Sequence, residues 1–214
     1  MIKYLVFDFD GTLADSTEGI LQTTRATFAR MGLPMPEDAD VRQGIGLPLK
    51  GALRTAGVPE NRLDEGADIY HEVFYEVAPK HIVLFPGVKE ALEKLASRGY
   101  RMSIATSRSE QSLVMLLGEH GISQYFEVLG SVGCVENPKP APDIVLWVLG
   151  RMGATPDQTL VIGDTVYDIQ MGKSARCSTC AVTYGNHGPE QLRAAEPDFL
   201  IDDLRLLSRL LKED

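Results

Sequence analysis

The feature that most restricts what this chain can fold into is a series of short, predominantly apolar runs, each followed by a segment with helical spacing. Residues 4–7 form the first run, which stops abruptly at Asp8, Asp10 and Gly11. Comparable runs recur at 102–105, 126–129, 160–162 and 180–182, with a shorter one at 199–201. Runs of this kind suit strands covered on both faces, as in a parallel sheet. Between them, Val88, Leu92 and Leu95 share one helical face, as do Leu113, Leu116 and Leu117, and then Ile144, Val145, Val148, Leu149 and Met152. Strand and helix alternating in this order predict right-handed crossovers and a doubly wound α/β fold with a parallel sheet.

One stretch breaks the alternation. From about Asp15 to Leu84 no strand pattern appears, while Ile20, Leu21, Thr24, Phe28 and Met31 keep helical spacing, as do Ile69, Val73 and Val77. Gly32, Pro34 and Pro36 punctuate between helices. Such a segment is too long for an ordinary connection after a first strand. The expected organisation is a core of residues 1–14 plus 86–214 and an all-helical cap domain of residues 15–85, with short linkers near Asp15 and Phe85-Pro86-Gly87.

Composition narrows the partners. Apolar residues at 44% and charged ones at 24% suit a globular chain rather than a disordered or fibrous one. A net charge of -9 repels phosphate backbones and anionic lipid, so neither nucleic acid nor a membrane surface is an expected partner. The longest apolar run, residues 144–149, is far short of a membrane span, and two aspartates interrupt the first ten residues where a signal peptide needs an apolar stretch. Three cysteines cannot all pair, which suits a reducing compartment; a cytoplasmic location is expected. No exposed apolar stripe chooses between a monomer and a homodimer.

Ligands of open α/β sheets bind beyond the carboxyl ends of the strands. There the sequence places Asp8 and Asp10 after the first run, Thr106 and Ser107 after the second, Lys139 after the third, and Asp164 and Asp168 after the fourth. Carboxylates crowded at one sheet edge repel and need a cation to stay ionised together. Oxygen-only ligands favour Mg2+, which takes one or two carboxylates plus substrate phosphate. Lys139 adds positive charge for a phosphoryl group, and Thr106 a hydroxyl donor. Gly11 permits a tight turn that brings backbone amides close to an anion. An aspartate can attack phosphorus, and a second carboxylate can protonate the leaving oxygen and then activate water.

These residues carry a resemblance. Asp8-Phe9-Asp10-Gly11-Thr12, the strand ending in Thr106, Lys139, and Gly163-Asp164 with Asp168 resemble the four ordered motifs of the haloacid dehalogenase superfamily. The helical insert, with Gly46-Leu47-Pro48-Leu49, is similar to the cap of the phosphoglycolate phosphatase-like branch, as are Val182-Thr183-Tyr184-Gly185 and Pro197-Asp198-Phe199 further on. The resemblance spans nearly the whole chain and implies a Rossmann-like core. It also implies a Mg2+-dependent phosphatase acting on a small phosphorylated metabolite: phosphoglycolate-like, a sugar phosphate, a nucleotide or pyrophosphate. Asp8 would be the nucleophile and Asp10 the general acid/base. Asp8, the Asp10 backbone carbonyl and Asp164 would hold the metal. Thr106 and Lys139 would bind the phosphoryl group, with Ser107 a further phosphate contact or a turn residue. Asp168 would orient Lys139 or a metal-bound water, or simply favour the dipole of the next helix. Superfamily dehalogenases typically lack the second aspartate, so Asp10 favours phosphoryl transfer. In the cap, Arg42 and Lys50 flank the Gly46 turn, where they would meet a distal anionic group of the substrate or form a solvated pair.

Two other readings compete. A sugar-phosphate mutase resembles this chain, but mutases of that branch usually carry a histidine near the position of Ile20. A non-catalytic receiver module also joins aspartates, a Thr/Ser and a Lys on parallel strands, yet has neither the insert nor the Asp8/Asp10 pair. Gly172-Lys173-Ser174 is no phosphate-binding loop, because Tyr167 stands where a glycine is required. Cys177 and Cys180 form a lone CxxC and read as small core residues, and Trp147 as core or near-core.

Overall fold

The computed structural model describes residues 1–211. In chain order the elements are β1 (Tyr4–Phe7), β2 (Ala14–Asp15), α1 (Thr17–Met31), α2 (Asp38–Gln43), α3 (Leu49–Thr55), α4 (Leu63–Val77), β3 (Val83–Leu84), α5 (Val88–Ser97), β4 (Arg101–Ala105), α6 (Glu110–Glu119) and β5 (Phe126–Gly130). There follow α7 (Asp143–Met152), β6 (Thr159–Gly163), α8 (Val166–Ser174), β7 (Ser178–Val182), α9 (Pro189–Ala194), β8 (Phe199–Ile201) and α10 (Leu207–Leu210).

Six strands form one parallel sheet in the order β5-β4-β1-β6-β7-β8. The first strand is therefore central, and the chain winds outward from it in both directions. That order makes β1 the topological switch point, where a crevice opens beyond the strand ends. Phe7 is level with Ile104 on one side and Ile162 on the other, so the residues just past β1, β4 and β6 emerge together.

The apolar runs have a direct cause. Leu5, Phe7, Met102, Ile104, Leu160 and Ile162 face one layer, with Leu92, Leu95, Leu113, Leu116 and the C-terminal Leu204 and Leu207. Val6, Ala105 and Val161, from the same strands, face the other layer, with Ile144, Val145, Val148 and Met171. Both faces are buried, so neither can be polar. Cys177 and Cys180 are buried and unpaired, and Trp147 is half-buried against the second layer, as their sequence setting suggests.

Helices α1 to α4 build a separate apolar centre from Leu21, Phe28, Met31, Val41, Leu53, Leu63 and Ala67. The long α1 stops at Gly32, whose left-handed backbone (φ 65°) lets its N–H close back onto the last turn. The insert departs from purely helical in one place. At its base β2 and β3 pair antiparallel, Ala14 with Leu84 and Asp15 with Val83. Two-residue strands carry no periodicity, and their pairing depends on the chain leaving and returning at one point. Among the described residues no helix is long and apolar enough to cross a membrane.

Ile162 has no exposed surface and lies on a central strand. Ile162→Ala should lower the unfolding free energy by about 2–5 kcal/mol, read from urea denaturation. A loss under about 1 kcal/mol would mean that the layer around it is not close-packed.

Candidate active site

The central strand hands Asp8 to the crevice. The Asp8 N–H still donates to the Ile162 carbonyl at 2.8 Å, continuing the ladder, and then the chain turns sharply. The N–H groups of Leu13 and Ala14 donate to the Phe9 carbonyl, and that of Gly11 to the Ala14 carbonyl. Gly11 has φ 78°, and a Cβ there would run into the Asp164 carboxylate and the Asn186 amide. The turn thus requires glycine for both its backbone and its space.

Around Asp8 the structure gathers Lys139, Asp164 and Asp168. The Lys139 ammonium is fully buried, 2.9 Å from Asp8 Oδ1 and 2.6 Å from Asp168 Oδ1. The second oxygen of Asp168 accepts from the Thr165 N–H (3.0 Å) and hydroxyl (2.6 Å), forming a capping box at the start of α8. Asp168 therefore both starts a helix and holds Lys139. Asp164 Oδ1 accepts from the Thr12 hydroxyl at 3.0 Å, and Oδ2 from the Asn186 N–H and side-chain amide, both at 2.8 Å.

One ammonium faces three buried carboxylates, Asp8, Asp164 and Asp168, whose oxygens lie within 4.8 Å of one another. Burial raises the Asp8 carboxyl to about 8, with the Asp168, Asp164 and Asp10 charges pushing the same way against Lys139. Burial, and then Asp168, raise Asp164 to about 7 despite its hydrogen bonds. On Lys139, burial works against the charge, but the two aspartates outweigh it and raise the ammonium above its ordinary value. A cluster of hard oxygen donors short of positive charge fits a divalent cation.

Asp10 stands apart from this group. Its carboxylate is forked by Arg108, with Nε to Oδ2 at 3.0 Å and the second nitrogen on Oδ1. Burial pushes the Asp10 carboxyl up, yet the Arg108 charge and hydrogen bonds outweigh it and hold the group below its ordinary value. The guanidinium lies over two rings, 5.6 Å from the centre of Phe9 in the core and 5.0 Å from that of Phe74 on α4. Sequence reasoning passed over Arg108, and over Asn186 on the other side. The available signal for Arg108 was a cation two residues beyond Thr106, on the same sheet edge.

The remaining candidates divide. Thr106 is buried; its N–H donates to the Gly130 carbonyl at 3.0 Å, and its hydroxyl oxygen accepts from the Arg108 N–H at 3.3 Å, leaving the hydroxyl proton free to donate. Ser107 spends its hydroxyl on the cap, donating to the Gly46 carbonyl at 2.9 Å. Gly46 (φ 93°) also lies against Thr165, where a Cβ would come within 3.0 Å of the Thr165 methyl. The cap is thus seated on the core, enclosing a cavity of about 370 Å³ whose walls include Asp8, Asp10, Thr106, Arg108, Gly46 and Lys50. Lys50 is ion-paired with Asp64. Arg42 is exposed and lies outside the cavity wall.

A parallel sheet with carboxylates at its switch point and a helical cap above them defines a hydrolase of the haloacid dehalogenase type. The chain belongs to that family: the model for "Haloacid dehalogenase-like hydrolase" matches residues 5–182. It is 35% identical over 207 residues to "Probable phosphatase IndB" of Dickeya dadantii, covering 94% of this chain and 90% of that one. It is 33% identical over 219 residues to the phosphoglycolate phosphatase of Nitrosococcus oceani, covering 99% and 97%. A crystal structure of a haloacid dehalogenase-like hydrolase from Bacteroides fragilis superposes with TM-score 0.91 at 26% identity, covering 97% and 100%. The chain is an enzyme of the phosphoglycolate phosphatase-like group, a phosphatase.

Asp10→Asn leaves the Arg108 guanidinium buried without its counter-charge and should cost about 3 kcal/mol of stability at pH 7. Because the folded Asp10 carboxyl titrates below its ordinary 3.8, its contribution is complete above that value and fades as pH falls through the folded one. Thermal unfolding of both proteins at pH 7 and pH 3 should show the difference shrinking at pH 3. A constant gap would mean that the ion pair is not its source.

Proposed function

We propose that this chain is a Mg2+-dependent phosphatase that moves the phosphoryl group of a small phosphorylated metabolite first to Asp8 and then to water. The observation that carries this reading is Asp8 itself, held by Lys139 at 2.9 Å in the same cavity as Asp10 and Thr106. The catalytic unit is taken as the core of residues 1–14 plus 86–214, covered by a cap of residues 15–85, working in the cytoplasm.

Lys139 and the Thr106 hydroxyl receive the phosphoryl oxygens and draw off charge as it develops. The Asp8 carboxylate attacks phosphorus, and the bond to the leaving oxygen breaks. Asp10 gives that oxygen a proton, then takes one from the water that hydrolyses the aspartyl-phosphate. In the free protein Arg108 keeps Asp10 ionised, so proton delivery requires this pairing to loosen; the transferring phosphoryl group beside the guanidinium supplies the competing anion, and Arg108 then serves that group and not the leaving group. Asp168 keeps Lys139 aimed at Asp8. Asp8, Asp164 and the Asp10 backbone carbonyl would hold magnesium, whose charge would let the carboxylates ionise together and screen the phosphate from Asp8. Contact between cap and core excludes water and strengthens each of these interactions.

Release of inorganic phosphate from p-nitrophenyl phosphate should require magnesium, stop with EDTA and return when magnesium is restored. Asp8→Asn keeps the Lys139–Asp168 pair and should lower kcat at least about a thousandfold. Retained turnover would remove the covalent route, and isomerisation of a sugar phosphate without phosphate release would point to a mutase. Lys139→Ala should weaken inhibition by inorganic phosphate; an unchanged inhibition constant would place Lys139 outside the phosphoryl site.

A further inference from the structure

Resting on the phosphatase reading, we infer that the group leaving with the ester oxygen is an uncharged, ring-sized apolar alcohol rather than a second anion. The cap supplies a largely apolar part of the cavity wall. That part is built by Ile20 and Thr24 of α1, Val41 of α2, Leu47 in the following loop, Leu49 of α3 and Phe74 of α4. These side chains come from all four cap helices and the loop between α2 and α3; Ile20, Val41 and Leu49 also belong to or pack on the apolar centre of the cap, and Phe74 on the layer beneath it.

Among the described residues, lysine and arginine side chains on this side are few, and each has an acidic neighbour. Among the described residues lining the cavity, Lys50 is paired with Asp64, and Arg108 with Asp10. His71 is exposed, and Arg42 lies outside the wall. Lys139 is not among the lining residues and is held between Asp8 and Asp168. A carboxylate or second phosphate entering the cap half would exchange water for hydrocarbon without a dedicated partner, which is strongly unfavourable. Tyr70, partly buried and packed on the apolar centre of the cap, adds a phenol ring to the cavity wall.

Size points the same way. A cavity of about 370 Å³ accommodates a phosphoryl group together with a six-membered ring. Pockets of this size bind small ligands mainly through apolar walls, with a few polar contacts fixing orientation. Phosphoglycolate and pyrophosphate would leave the upper walls without contact.

The test compares kcat/KM of the wild-type enzyme with saturating magnesium on benzyl phosphate, 2-phosphoglycolate and pyrophosphate, with p-nitrophenyl phosphate as a general substrate. Benzyl phosphate and phosphoglycolate both release a primary alcohol, so their ratio reads the pocket rather than leaving-group acidity. Benzyl phosphate should exceed both anionic substrates by at least about tenfold, the scale on which an apolar pocket discriminates. Phosphoglycolate or pyrophosphate equalling benzyl phosphate overturns the inference and leaves the phosphatase reading standing. Phosphate release from none of the four overturns the phosphatase reading itself. Leu47→Arg should reduce the preference for benzyl phosphate over phosphoglycolate at least about tenfold by placing a cation in the wall; an unchanged ratio overturns the assignment of that wall to the leaving group.

Discussion

Lys139 is the charge on which the active site depends. Its side chain has no exposed surface and lies between Asp8 and Asp168, so a single ammonium joins the loop after β5 to the end of β1 and the start of α8. Removing one member of such a buried group leaves the others uncompensated, which is where the large energetic penalties arise. In the proposed reaction the same contacts fix the direction of the Asp8 carboxylate. Asp168 contributes to both ends of this arrangement, because one oxygen orders Lys139 while the other caps the helix that carries it.

How much of this was readable in advance depended on whether a residue belonged to a pattern. The six strands of the main sheet were legible because burial on both faces leaves runs such as Leu5-Val6-Phe7 without polar alternation. Asp8, Thr106, Lys139 and Asp164 were legible because each follows such a run, and the parallel register brings those ends together. Arg108 belonged to no repeat or spacing, and its importance comes from Asp10, ninety-eight residues away in the chain, and from a cap ring it could not announce. Asn186 is similar, an isolated amide whose bonds to Asp164 exist only after folding. Ser107 shows a contact that adjacency alone does not announce. A hydroxyl next to Thr106 suggested phosphate binding, but its bond to Gly46 turns it toward the cap.

The cap does more than cover. It brings the ring of Phe74 to Arg108, which also lies over Phe9 of the core. The cation that governs Asp10 is therefore shared between the two halves of the molecule. Any displacement of α4 alters the surroundings of the guanidinium and, through it, the affinity of Asp10 for a proton.

The short β2–β3 ribbon adds a mechanical consequence. The chain enters and leaves the helical insert along two strands that are hydrogen-bonded side by side, not at two separated points. Next to it, Tyr184 packs against Phe85 with ring centres 4.7 Å apart and donates its hydroxyl to the Thr12 carbonyl. Two tethers zipped together behave as one strap, which resists twisting and sideways drift but can flex about a single axis. The insert therefore has one paired attachment to the core, and Phe74, Gly46 and the apolar wall all lie on the chain between its two strands.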